Sequence, residues 1–281
     1  MRGSYSKGYP VAGSLFDVHK HLVLTGVLVQ LNQHLSRIHY IDAHAGTGVY
    51  ELPMLEHSGD ELVNVETLLK ANRNELTDKY IEIVRSCNRS LPLSKYPGSP
   101  VIAQKLLRPL DSMSLIELNL EDYSELSGLF ETNSQVFVEH GSAFDRVIKR
   151  IPEGEVGGAV LIDPDYVIEE DLNDTANLII QCRNKWDAAV IMASLPVTGR
   201  SSSDRYIVSI LKDSGMNNIY LSEFEFLEKS VDDEGCELLV KSKVLLINPQ
   251  FEIIEILDSA LTQLAASLPS AINAKSTIKA I

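Results

Sequence analysis

Ile38-His39-Tyr40-Ile41-Asp42-Ala43-His44-Ala45-Gly46-Thr47-Gly48 is a short buried-strand pattern that runs directly into a glycine-containing turn. Upstream, over residues 15–35, Leu22, Val23, Val27, Leu28 and Leu31 recur at helical spacing, with Asp17 near the start. Downstream, residues 53–95 read as two polar amphipathic helices (61–70 and 76–88), a small helical insertion in an otherwise regular βαβ chain. Pro97-Gly98-Ser99-Pro100 then opens a helix over 101–107. Strand patterns follow at 114–118, 135–139, 158–163, 188–193, 218–224 and 243–248. Helical stretches at 123–130, 143–150, 172–185 and 203–214 separate most of them. Such alternation predicts an α/β fold with a mostly parallel sheet covered on both faces. The last two strands, joined by Asp232-Asp233-Glu234-Gly235, read as an antiparallel hairpin at one edge. Beyond Pro249 lie an amphipathic stretch, 252–268, and a weakly patterned tail. No repeat or long linker divides the chain, so residues 1–281 are expected to form one domain.

Composition agrees with this frame. The 281 residues are 44% hydrophobic and 23% charged, ordinary for a globular protein. No run approaches the roughly 20 apolar residues of a membrane helix. Residues 1–10 lack the apolar stretch of a signal peptide. Cys87, Cys182 and Cys236 form neither a metal-type pair nor an even disulfide framework. A cytoplasmic monomer without metal or membrane is the expectation. The net charge of −14 opposes a general nucleic-acid binder, which usually shows a basic face. A local basic groove built from Lys105, Arg108, Arg146, Lys149, Arg150, Arg200 and Arg205 remains open.

Ligands of an open parallel sheet sit beyond the carboxyl ends of its strands. Three strands end in acids there: Asp42 with its Gly46-Thr47-Gly48 turn, Glu117, and Asp163. The glycines permit a tight turn and close backbone approach, and an acid such as Glu117 can accept hydrogen bonds from two ribose hydroxyls. An adenosine-containing cofactor suits this set. A nicotinamide dinucleotide does not, because the third glycine of its fingerprint is missing. Asp163-Pro164-Asp165-Tyr166 is one residue from the Asp-Pro-Pro-Tyr tetrapeptide of amino-methyltransferases. An exocyclic adenine amine is a poor nucleophile, its lone pair being delocalised into the ring. The Asp163 carboxylate and the Pro164 carbonyl can each accept one amine hydrogen, while Tyr166 stacks on the base.

With these residues in view, the chain resembles the bacterial 23S rRNA adenine-N6 methyltransferase family, also described as involved in the use of external DNA. The resemblance runs from Ser4 to about Phe251. It rests on Ser4-Tyr5, Ala12-Gly13 with Asp17-Val18-His19-Lys20-His21, the block Asp42 to Tyr50, Tyr96-Pro97-Gly98-Ser99-Pro100, Glu117-Leu118, Leu161-Ile162-Asp163-Pro164 with Tyr166, and Ile247-Asn248-Pro249. It implies a Rossmann-like S-adenosylmethionine-dependent methyltransferase fold and an RNA substrate, 23S rRNA. It also implies Asp163 as the catalytic acid, and Tyr5, Pro164 and Tyr166 at the substrate. Lys20, His21, His44, Gly46, Ser99, Glu117, Ser142, Ala143 and Asp163 would line the S-adenosyl-L-methionine site.

Departures from the family pattern cluster near that site. Asp165 replaces the second proline of the tetrapeptide. Val11-Ala12-Gly13-Ser14-Leu15 stands where the family has His-Ala-Gly-Asn-His. Ser142 replaces the acid that would meet the cofactor's adenine, and Ser194-Leu195-Pro196 replaces an aromatic-rich block. Two expectations follow. The first is an active RNA adenine-N6 methyltransferase. The second is a weak or non-catalytic nucleic-acid or cofactor-binding protein on the same scaffold, with DNA as the alternative partner. Asp165 beside Asp163 further predicts that one of the two carboxyls is driven upward in pKa, with Asp163 the expected victim.

Overall fold

The computed structural model describes residues 12–52, 65–69, 74–154, 156–166, 170–195, 203–231 and 237–281. Its elements are, in order, α1 (Leu15–His34), β1 (Ile38–Asp42), β2 (Val49–Glu51), α2 (Val65–Leu68), α3 (Glu75–Ser86), β3 (Lys95–Pro97), α4 (Ser99–Leu106), β4 (Ser112–Glu117), α5 (Leu120–Phe130) and β5 (Val136–His140). There follow α6 (Ala143–Arg150), β6 (Gly157–Ile162), α7 (Glu170–Lys185), β7 (Ala189–Leu195), α8 (Ser203–Asp213), β8 (Ile219–Val231), β9 (Glu237–Ile247), α9 (Phe251–Ser267) and β10 (Lys275–Ala280).

The main sheet has the order β10-β8-β9-β7-β6-β1-β4-β5. From β5 to β7 every pairing is parallel. Strands β4 and β5 continue to one side of β1, whereas β6 and β7 lie on the other. The order therefore reverses at β1, and sheets of this kind bind their ligands beyond the carboxyl ends of the strands at such a reversal. Side chains alternate across this sheet. Tyr40 and Leu161 join the core under α1, α4 and α9, while Ile41 and Ile162 join the core under α6, α7 and α8. That two-sided burial is why β1 and β6 read as nearly continuous apolar runs.

Helix α1 is buried almost all round, because α3, α4 and α9 cover the faces that the sheet leaves open. Gly26 permits the closest of these contacts: a Cβ there would lie 2.5 Å from a Leu257 methyl on α9. His19 anchors the same helix to the hairpin. Its Nδ1 is 2.8 Å from Ser242 Oγ and its Nε2 2.9 Å from Ser222 Oγ.

Three features go beyond the sequence reading. Strands β2 and β3 form a separate two-stranded ladder, with Tyr50 opposite Tyr96, that brackets the region read as an insertion. Within it the structure gives α2 and α3; the remainder of the first expected helix lies outside the described residues. The β8–β9 hairpin is antiparallel as expected but is not itself the edge, since β9 pairs with β7 and β10 adds a further strand outside β8. Its turn at 232–235 also lies outside the described residues. Among the described residues no helix is long and apolar enough to cross a membrane.

Candidate active site

The loops at the carboxyl end of β1 are built on a buried acid. Asp42 is fully buried and receives the Tyr40 hydroxyl at 2.8 Å and the His44 N–H at 3.4 Å. The Ser99 hydroxyl also bonds it. Burial pushes the Asp42 carboxyl up to about 6 despite these bonds. Ser99, at the start of α4, is thereby fixed to the end of β1 from below. The glycine turn follows. Gly46 has φ +61°, and a Cβ on it would lie 2.0 Å from the Tyr50 hydroxyl. Glycine is needed here because the Tyr50 ring folds back over the loop, a constraint that the glycine pattern alone does not reveal.

Glu117 closes the second side. Its Oε2 accepts the Gly46 N–H at 2.8 Å and its Oε1 the Asn119 N–H at 2.7 Å, tying the β1 and β4 loops together. Burial raises its pKa, and the two N–H donors oppose the rise. Each carboxylate oxygen retains a further lone pair, so a diol can bond the same group. Ser142 precedes α6 without capping it through its side chain, and Ala143 is buried in the first turn.

Asp163 follows the last residue of β6. Lys20 Nζ lies 2.5 Å from Asp163 Oδ2 and 3.1 Å from Asp17 Oδ1. Burial raises Asp163, but the Lys20 charge and hydrogen bond, helped by Ser194, outweigh it and hold the carboxyl below its ordinary range. Burial likewise works against the Lys20 ammonium, and the Asp163 and Asp17 charges reverse that effect, keeping it charged. Asp165 takes the upward shift, through desolvation and then the Asp163 charge. The expectation that Asp163 would be driven upward is therefore corrected: a cation supplied by α1 decides which carboxyl rises.

The tetrapeptide turn is held at both ends. The Asp163 N–H donates to His44 Nδ1 at 3.3 Å, which places the His44 proton on Nε2. Burial lowers His44 to about 4, so the ring is neutral. At the other end Tyr166 adopts φ +47°, and its hydroxyl donates to the Ser194 carbonyl at 2.7 Å. A left-handed aromatic residue costs about 1–3 kcal/mol and persists where its surroundings fix it. Here the Ser194 carbonyl does so. Ser194 thus touches both Asp163 and Tyr166, a role invisible in the sequence because β7 and β6 meet only in the sheet.

Of the residues expected at the site, Lys20, His44, Gly46, Ser99, Glu117, Asp163, Pro164 and Tyr166 converge at the strand ends. His21 lies one residue from Lys20 in α1, buried against Tyr96. Tyr5 lies outside the described residues. Of the residues considered for a basic groove, Arg108, Arg146 and Arg150 are held in ion pairs. Arg108 is locked to Asp111 at 2.9 Å and to the carbonyls of Asn32 and Leu35. Arg146 and Arg150 both pair with Glu139. Arg200 lies outside the described residues. These arginines serve the fold because each sits beside an acid or a helix end that needs a donor.

The strand order, with its reversal at β1, defines a Rossmann-like α/β fold. The family model described as ribosomal RNA large subunit methyltransferase D, RlmJ, matches residues 36–279, and the chain belongs to that family. Ribosomal RNA large subunit methyltransferase J of Escherichia coli strain K12 is 30% identical over 271 residues, covering 95% of each chain. The protein of the same name from Haemophilus influenzae is 29% identical over 246 residues, 86% of each. A crystal structure of a Legionella pneumophila protein superposes with a TM-score of 0.81 at 24% identity, covering 96% of this chain and 98% of that one. A probable spermidine synthase from Corynebacterium glutamicum shares the fold more distantly, with a TM-score of 0.53 at 11% identity over 99% of this chain and 85% of its own.

Proposed function

We propose that this chain transfers a methyl group from S-adenosylmethionine to the exocyclic N6 amine of an adenine in 23S rRNA. The observation that carries the reading is the Asp163-Pro164-Asp165-Tyr166 turn, held between His44 and Ser194 beside the carboxyl end of β1. When bound, the cofactor supplies an electrophilic methyl group on a sulfonium. The chain fits it: Glu117 offers oxygens to a ribose, the uncapped Ser142 hydroxyl a partner to an adenine amine, and Ser99, His21 and Lys20 polar groups around the methionine end. Family membership and the names of the two relatives support the rRNA substrate.

In this reading Asp163 stays ionised at neutral pH and accepts one hydrogen of the target amine; the Pro164 carbonyl accepts the other. This draws the nitrogen lone pair out of conjugation. Positioning and electrostatics supply the acceleration, as in other sites that act on a base held out of its stack. Tyr166 supplies the stacking surface, with its hydroxyl already committed to Ser194. The test is mass spectrometry of 23S rRNA from cells with and without the gene, combined with methylation of the unmodified rRNA by purified protein. An N6-methyladenine that disappears with the gene and is restored in vitro is expected. A methyl group on cytosine or on a ring carbon, or no difference between the strains, would overturn the reading.

A further inference from the structure

Three buried polar side chains, none of them at the tetrapeptide turn, form a chain of hydrogen bonds from the insertion to the cofactor side of α1. The Tyr80 hydroxyl on α3 lies 2.8 Å from the Tyr96 hydroxyl on β3, which lies 2.6 Å from His21 Nδ1. Tyr80 and Tyr96 are fully buried and His21 nearly so. The His21 and Tyr96 rings are stacked, with centroids 5.5 Å apart. Either phenol could donate to the other on distance alone. The proton count removes the choice. Each phenol has one hydrogen, and the Tyr80 hydroxyl has no acceptor among the described residues except Tyr96. If His21 donated from Nδ1, the Tyr96 hydrogen would have to point to Tyr80. The Tyr80 hydrogen would then be buried with no acceptor, a defect costly enough to bias the equilibrium tenfold or more. Only the order Tyr80 to Tyr96 to His21 gives both phenol hydrogens an acceptor.

We propose that Tyr96, supported by Tyr80, is a positioning residue that fixes His21 in the tautomer carrying its proton on Nε2, so that His21 presents a hydrogen-bond donor to the cofactor's acceptor groups. This rests on the reading that His21 faces S-adenosylmethionine; the protonation order rests on the hydrogen bonds alone. Nδ1 is the ring nitrogen that the described residues engage, at Tyr96. His21 follows Lys20 in α1, and Lys20 bonds Asp163 at the tetrapeptide turn. A carboxylate such as that of the cofactor's methionine accepts hydrogen bonds and donates none. A His21 presenting a bare nitrogen would repel it, and an Nε2–H attracts it.

The test is two-bond proton–nitrogen correlation NMR on the full chain labelled with 15N-histidine, with His21 assigned by His21→Asn. The expected spectrum shows a single Nε2–H tautomer for His21 at neutral pH. Tyr96→Phe is expected to mix the tautomers or reverse them and to weaken S-adenosylmethionine binding about fivefold or more. Tyr80→Phe keeps the Tyr96 donor and is expected to leave the tautomer unchanged. A wild-type His21 protonated on Nδ1, or a tautomer indifferent to Tyr96→Phe, overturns the proposal. If the tautomer responds as expected but neither Tyr96→Phe nor His21→Asn alters cofactor affinity by calorimetry, the cofactor contact fails while the proton order stands.

Discussion

At the residue scale the site turns on one carboxylate and the cation beside it. Asp163→Ala is expected to abolish methyl transfer while retaining most of the calorimetric affinity for S-adenosylmethionine, because this side chain acts on the target amine. Full activity in that variant would refute the amine-orienting role. Lys20 sets the pH range. With Lys20 in place, Asp163 lies below the ordinary carboxylate range, so its ionised form persists into mildly acidic solution. In Lys20→Met the main opposition to burial is gone, with only the Ser194 bond and His44 left against it, and the Asp163 pKa rises. The acid limb of the kcat profile should then move to higher pH, and an unmoved limb would show that Lys20 does not control Asp163. Glu117→Ala should weaken cofactor binding tenfold or more by calorimetry. A charge-assisted hydrogen bond is worth about 1.5–3 kcal/mol, and this variant also releases Gly46 and Asn119.

Elements explain what the sequence made legible and what it hid. Period-two and helical patterns identify β1, β4, β6, β7 and most helices, because burial on one or both faces writes itself into apolar spacing. Strand β10 escaped because Lys275-Ser276-Thr277-Ile278-Lys279-Ala280 is an outer strand, and its pairing with β8 requires no continuous apolar run. The acids at the strand ends were readable, since their position follows from strand polarity. The Lys20–Asp163 and Tyr166–Ser194 contacts were not, because each joins elements far apart in the chain. The loop after β6 carries its own prediction. No hydrogen bond among the described residues uses the Asp165 N–H, so proline there removes none. Proline also narrows the backbone freedom of the turn that carries the amine acceptors. Asp165→Pro should therefore raise the single-turnover methylation rate severalfold. The cause would be turn stiffness, since Lys20 already keeps Asp163 ionised. A variant no faster than its parent would show that the His44 and Ser194 contacts fix the turn by themselves.

Across the whole molecule, buried histidines make folding sensitive to acid. His19 is fully buried between Ser242 and Ser222, and desolvation lowers its pKa to about 3. Desolvation also lowers His39 and His44, each to about 4. In the unfolded chain these rings titrate near 6.5, so below that pH the unfolded state binds protons that the folded state refuses. Stability is then complete above about pH 6.5 and falls as the pH drops toward the folded values. Asp42 has the opposite sign. Its folded pKa of about 6 lies above its unfolded one, so the folded state gains protons first and stability rises as the pH falls from 6 toward 4. The magnitudes decide the outcome. Between pH 7 and 5, His19 alone should cost roughly 2 kcal/mol, whereas Asp42 returns about 1 kcal/mol. The other histidines add to the loss, so the urea midpoint should be clearly lower at pH 5 than at pH 7. His19→Gln separates this origin from a general charge effect. It keeps an amide that can reach one of the two serines but cannot titrate. It should be less stable than the parent at pH 7, and the stability difference between pH 7 and 5 should shrink by roughly 2 kcal/mol. An undiminished difference would place the acid sensitivity elsewhere in the molecule and remove His19 as its main source.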